Sequence, residues 1–217
     1  MLAPTGRRGF RSSEIMSADP LQEEVVSLLS TRRGHFKLES GHHGSLWLDL
    51  ELLCLRPLAT RRLAAELAER LARHDVEMVC GPLVEGAFVA LMVASELNVE
   101  FSYAERYAPP RSDGLYPVQY RIPGALREKV RGRRVAIVND VINVGSAVRG
   151  TFGDLQTCGA ETVAISTLLV LGSFATGFAA EKNVSLESIA SLPNEVWTPP
   201  ECPLCAAGVP LNQPSEA

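Results

Sequence analysis

At 217 residues, the chain has room for one well-buried domain and a small appendage. It is 46% apolar and 21% charged, as an ordinary globular enzyme is, and its net charge of -4 leaves no basic field for general nucleic-acid binding. No apolar run approaches the roughly 18 uncharged residues of a membrane span; the stretch 87–97 reads as a buried helix.

Five cysteines (Cys54, Cys80, Cys158, Cys202 and Cys205) make no even disulfide framework. Cys54 and Cys80 lie in or beside apolar runs, as buried free thiols do, a pattern that suits a reducing cytoplasm. Residues 1–18 set Arg7, Arg8 and Arg11 among Gly, Ser and Pro without apolar periodicity. They are expected to be a disordered extension or an early start, with Met16 opening a more ordinary sequence. Glu14 and Asp19 follow too closely for a transit peptide, which should be poor in acids.

The first expected helix starts at Asp19, an N-cap, with Pro20 at its first position, Gln22 closing a capping box, and Leu21, Val25, Leu28 and Leu29 on one face. Residues 35–53 alternate around Ser40-Gly41 and Gly44-Ser45 and read as a β-hairpin or two short strands. Pro57 opens a second helix carrying Leu63, Leu67 and Leu71 at four-residue intervals. Strand, turn and helix then repeat: a strand over 76–80, Gly81-Pro82, a helix to Leu97, and a strand over 99–103. The polar segment 104–123 reads as a long functional loop. The clearest strand spans 134–139, followed by a turn, a helix to about Cys158, and a strand over 162–170. Such alternation predicts one α/β domain over 19–192, its central sheet mostly parallel and flanked by helices, with a Pro- and Cys-containing tail over 193–217.

Ligands of open α/β sheets bind beyond the carboxyl ends of the strands. Asn139, Asp140, Val141, Ile142, Asn143, Val144, Gly145, Ser146 and Ala147 occupy such a place. A helix beginning near Ser146 offers free amides and a positive dipole end to a phosphate dianion. Ser146 and Asn143 add donors, and Asp140 can accept from sugar hydroxyls. The plainer alternative is a capping turn built by Asp140 and Asn143. Neither a Walker loop nor a Rossmann fingerprint is present.

This segment resembles the phosphoribosyl pyrophosphate (PRPP) signature of type I phosphoribosyltransferases, and other motifs follow in the order of the orotate phosphoribosyltransferase family. Gly34-His35-Phe36-Lys37-Leu38-Glu39-Ser40-Gly41 is similar to that family's N-terminal motif. Cys80-Gly81-Pro82-Leu83-Val84-Glu85-Gly86 is similar to its diphosphate loop, Gly132-Arg133-Arg134 to the lead-in of the signature strand, and Cys202-Pro203-Leu204-Cys205 to a tail seen in some members. The resemblance spans about 20–172. It implies the type I phosphoribosyltransferase fold with a small N-terminal hood and a long flexible loop over 104–121. It further implies transfer of ribose 5-phosphate from PRPP to orotate in UMP synthesis, with Mg²⁺ carried on PRPP rather than by protein ligands, in a cytoplasmic homodimer without nucleic-acid or membrane partners.

By the match, Asn139, Asp140, Val141, Asn143, Val144, Gly145, Ser146 and Ala147 bind PRPP, with Gly145 and Ser146 on the 5-phosphate and Asp140 on the sugar hydroxyls. Gly81, Pro82, Leu83, Val84, Glu85 and Gly86 present the diphosphate loop, Phe36 and Lys37 lie near the base, and Arg106, with Asp140, stands at the catalytic centre. The chain departs from the pattern at Asn139, Asn143 and Val144, and carries Glu85 and Glu39 where many members have Lys. In the loop, Arg106, Arg111 and Asp113-Gly114 are the nearest remnants of a basic motif. Two such changes alter a diphosphate site by about four charges, each pair mattering by ~1–4 kcal/mol at surface-like dielectric. A non-catalytic PRPP or nucleotide sensor, and a transferase for another base, therefore stand as alternatives.

Cys202-x-x-Cys205 supplies half a zinc site, but no second Cys or His pair stands at finger spacing, so the expected role is a tail packed on the domain; a site shared across a dimer axis is the more elaborate option. Adjacent strand residues point to opposite faces, so His42 and His43 are expected in an exposed turn. Trp47 and Trp197 are expected to serve packing, and no Ser–His–Asp pattern suggests a hydrolase.

Overall fold

A computed structural model describes residues 19–107 and 114–213. The expected N-terminal extension, Arg111 and Asp113 lie outside the described residues.

Helix α1 (Pro20–Leu28) begins as expected, the Asp19 carboxylate accepting from the Leu21 amide at 3.0 Å, and it buries Val25 and Leu28. Strands β1 (Ser30–Lys37) and β2 (His43–Asp49) form the expected antiparallel hairpin, though β1 starts before position 35 and residues Leu50–Leu55 coil into a 3₁₀ turn. That turn leaves Cys54 exposed, contrary to expectation. Helix α2 (Pro57–Leu71) fully buries Leu63, Leu67 and Leu71.

The larger sheet follows as β3 (Met78–Pro82), α3 (Glu85–Leu97), β4 (Glu100–Tyr107), β5 (Gln119–Arg121), α4 (Gly124–Val130), β6 (Arg134–Ile142), α5 (Ser146–Thr157), β7 (Glu161–Leu171), α6 (Phe174–Lys182) and β8 (Ser185–Leu192). Its order is β5-β4-β3-β6-β7-β8, parallel except where β5 turns back on β4. The tail adds β9 (Val196–Trp197), which pairs with β2, and α7 (Pro203–Ala206). The hood is thus a three-stranded sheet, β1-β2-β9.

Period-two alternation sorts the sheet's side chains between two helical layers. Val79, Ala136, Val138 and Ala164 pack with α1, α2 and α3, while Cys80, Val135, Ile137 and Ile165 pack with α5 and α6. Two expectations are corrected. The loop expected over 104–123 contains β5, because Tyr120 and Ile122 are apolar enough to seal the α5 side of the sheet. Strand β6 continues beyond Asn139 to Ile142, because Val141 and Ile142 still pair with Leu169 and Val170.

Candidate active site

Strands β3 and β6 are parallel neighbours, but from β3 the sheet continues to β4 and from β6 to β7, in opposite directions. This is a topological switch point, and a cavity of about 370 Å³ opens at its carboxyl end. One wall is the β3–α3 turn, residues 82–86, and the other is Asn139, Asp140, Val141 and the β6–α5 turn 143–147. Leu38, Glu39, Ser40, Leu46, Trp47 and Leu48 of the hood cover it, and Arg106 and Tyr120 stand at its side.

The β6–α5 turn has the geometry of an anion cradle. Gly145 takes φ +69° and ψ 26°, the left-handed region, and is the N-cap of α5. Beyond it, the first amides of α5 have no intrahelical acceptors, and Gly145, Ser146 and Ala147 line the cavity. The Asn143 Oδ1 accepts from Asn194 Nδ2 at 3.1 Å, which holds the Asn143 side chain in place. The Tyr116 hydroxyl donates to the Val144 carbonyl at 3.2 Å and its amide to the Ser40 carbonyl at 2.8 Å, tying hood and cradle together. A Cβ on Gly145 would lie 1.8 Å from Phe174 Cε1, so the missing side chain makes room for that ring and the turn rather than for a phosphate.

Asp140 is 4% exposed at the end of β6 and faces the same cavity. Burial pushes its carboxyl up to about 7, against two backbone hydrogen bonds that favour the charged form, with Glu85 and Glu51 adding to the rise. Asn139 turns its Nδ2 to the Val141 carbonyl at 2.8 Å. Its Oδ1 would lie 2.1 Å from a Cβ on Gly86, so that glycine lets α3 approach β6. Gly81 is buried behind the turn, where a Cβ would meet Ala90 Cβ at 2.5 Å; it serves strand–helix packing rather than lining the cavity. The Leu83–Val84 peptide in this turn is cis.

Glu39 does not stand as an unopposed negative charge. It accepts from Arg106 Nε at 2.9 Å and from the Tyr120 hydroxyl at 3.0 Å, and burial followed by the Glu39 charge drives the Tyr120 phenol upward. Releasing Arg106 by Glu39→Gln is expected to tighten diphosphate binding by roughly 3- to 10-fold, a gain of about 1 kcal/mol; calorimetric titration of diphosphate checks it.

The structure therefore gathers Asn139, Asp140, Val141, Asn143, Val144, Gly145, Ser146, Ala147, Pro82, Leu83, Val84, Glu85, Gly86 and Arg106 around one cavity. Phe36 and Lys37 are not among its lining: Phe36 is buried with its ring 5.7 Å from that of Trp47, and Lys37 is exposed. Trp47, expected only to pack, lines the cavity instead. Sequence reasoning also missed Tyr120, Tyr116 and Asn194, which reach the site by chain crossings that no local pattern marks.

Fold and cavity together define a phosphoribosyltransferase of the type I class. No family model matches the chain. The adenine phosphoribosyltransferase of Trypanosoma brucei, solved with AMP, pyrophosphate and ribose 5-phosphate, superposes with TM-score 0.62 at 16% identity, over 81% of each chain. The orotate phosphoribosyltransferase of Aeropyrum pernix gives TM-score 0.57 at 24% identity, over 79% of this chain and 93% of that one. In sequence, the orotate phosphoribosyltransferase of Thermotoga maritima is 30% identical over 181 residues, 83% of this chain and 89% of that protein. The chain belongs to the orotate phosphoribosyltransferase family.

Proposed function

We propose that the chain transfers ribose 5-phosphate from PRPP to orotate, releasing diphosphate and forming the nucleotide precursor of UMP. The observation that carries this reading is one cavity in which the cradle 143–147, the Asp140 carboxylate and the turn 82–86 face each other. The cradle amides take the 5-phosphate. Asp140, once ionised, accepts from the ribose hydroxyls and opposes the positive charge that develops on the ring at the anomeric carbon. The turn 82–86 receives the departing diphosphate with main-chain donors, and Arg106 sits where a guanidinium can follow the charge. Trp47, backed by Phe36, offers a flat apolar face to the base.

Among the described residues, the cavity lining holds three carboxyl groups, Glu39, Glu85 and Asp140, and one guanidinium, that of Arg106. A polyanionic substrate therefore needs counter-cations, and these hard oxygen donors fit Mg²⁺. Asp140 and Glu85 are the lining residues that would hold a hydrated Mg²⁺ beside the diphosphate, where the ion would supply positive charge against the leaving group. Loss of orotate absorbance in the presence of PRPP and Mg²⁺ tests the reading. PRPP binding without turnover of any base favours the sensor instead, and turnover of another base favours a transferase for that base.

A homodimer is part of the same proposal. Leu55, Leu58, Phe88 and Leu91 are 74%, 82%, 46% and 51% exposed, and Phe88 and Leu91 border an apolar hollow of about 290 Å³ with Leu53, Pro57 and Met92. This exposed apolar surface beside Glu85 supports an association face there. Leu58→Glu is expected to convert a dimer to monomer in sedimentation velocity; an unchanged dimer places the interface elsewhere. No helix among the described residues is long and apolar enough to cross a membrane.

A further inference from the structure

We infer that His35, His43, Cys202 and Cys205 form a tetrahedral zinc site that clamps the C-terminal tail to the hood. This corrects two expectations: His43 is buried rather than in an exposed turn, and the Cys-x-x-Cys motif does meet a histidine pair, eight residues apart on the hairpin rather than at finger spacing. One ligand atom from each residue falls within 4.8 Å of all the others. The separations are 3.1 Å for His35 Nε2 to His43 Nδ1, 3.4 Å for Cys202 Sγ to His35 Nε2, 3.7 Å for Cys205 Sγ to His35 Nε2 and 3.2 Å for Cys205 Sγ to His43 Nδ1. Zinc–nitrogen bonds of about 2.0 Å and zinc–sulfur bonds of about 2.3 Å place tetrahedral ligands roughly 3.3–3.8 Å apart. The cluster is thus already near the size of an S₂N₂ centre.

A second observation orients the ligands. The ring of His35, 1% exposed, places Nδ1 2.8 Å from the Val209 carbonyl, which as acceptor holds the proton there and leaves the Nε2 lone pair facing the cluster. A register shift between Arg33 and Phe36 sets His35 at a bulge. The tail reinforces the same point: the His35 amide donates to Asn212 Oδ1 at 2.8 Å, and the Asn212 amide to the His35 carbonyl at 2.7 Å. With Zn²⁺, two thiols release their protons, and two thiolates with two neutral imidazoles make an electrically neutral centre, suited to burial. Imidazole and thiolate donors in this geometry select zinc over the Mg²⁺ of the cavity. The site is independent of the transferase reading, since none of its ligands lines the cavity.

Tag-free full-length protein, purified under reductant and without chelators, is expected to carry about one zinc per chain by mass spectrometry of the metal. Co²⁺ added to the stripped protein is expected to give the visible bands of a tetrahedral thiolate complex. Stripping should lower the Tm by roughly 5 °C or more, and zinc alone should restore it. Cys205→Ser, at an exposed position, should keep the fold, weaken metal binding by about 100-fold or more and make the Tm insensitive to chelator. Wild-type protein with less than about a tenth of an equivalent of zinc and no cobalt bands overturns the assignment, as does a Cys202–Cys205 disulfide that persists under reductant.

Discussion

The Asp140→Asn variant is expected to be more stable than the parent and to have lost about 100-fold or more of its transfer rate. Both effects come from one buried carboxyl. Its pKa rises from 3.8 to about 7 in the folded chain, so the folded state holds a proton that the unfolded state releases. The stabilisation from that proton is complete below about pH 4 and is lost as pH rises toward about 7. Above pH 7 the parent carries a desolvated carboxylate and the variant does not, an advantage of about 1–4 kcal/mol for the variant, or roughly 3–10 °C in Tm. Near pH 4 the two melt alike. In the parent, kcat/KM should rise with pH through about 7 as the catalytic form appears, and the residual activity of the variant should be flat there. A variant with parental kinetics removes Asp140 from the site, and one with no gain in Tm at pH 8 removes the burial argument.

Gly145→Val is expected to weaken PRPP binding by about 100-fold or more and to lower stability by about 2–4 kcal/mol. A β-branched residue is costly at φ +69°, and its Cβ would have to displace the Phe174 ring. Relief of either strain moves the first turn of α5 and scatters the amides of the cradle. The loss is therefore architectural, and it differs from a side chain simply occupying phosphate space. The double variant Gly145→Val with Phe174→Ala separates the two sources: it relieves the collision, keeps the unfavourable backbone, and should recover only part of the stability. Titration of PRPP and thermal melting of the two variants check this, and full affinity in Gly145→Val contradicts the cradle.

What could be read before the structure follows from how local each signal is. The core of the sheet was legible because Val135 to Val138 form an unbroken apolar run, and α2 because leucines recur at its helical period. The cradle was legible as a strand feeding a glycine turn and a helix. The hood was only half legible. Its third strand is two residues long and owes its pairing to residues some 150 positions away, which no periodicity records. The charge reversal at Glu39 suggested a weakened site because the sequence does not disclose that Arg106 and Tyr120 partner it. Finger spacing failed to find the His35–His43 pair for the same reason: a hairpin brings them together, and hairpin register is fixed by packing rather than by a motif.

The most direct measurement is difference density for PRPP bound with Mg²⁺. The 5-phosphate should lie within hydrogen-bonding distance of the amides of Gly145, Ser146 and Ala147, with the ribose hydroxyls against Asp140 and the diphosphate toward residues 82–86. A 5-phosphate lodged elsewhere in the cavity, or a ribose turned away from Asp140, contradicts the assignment of the site.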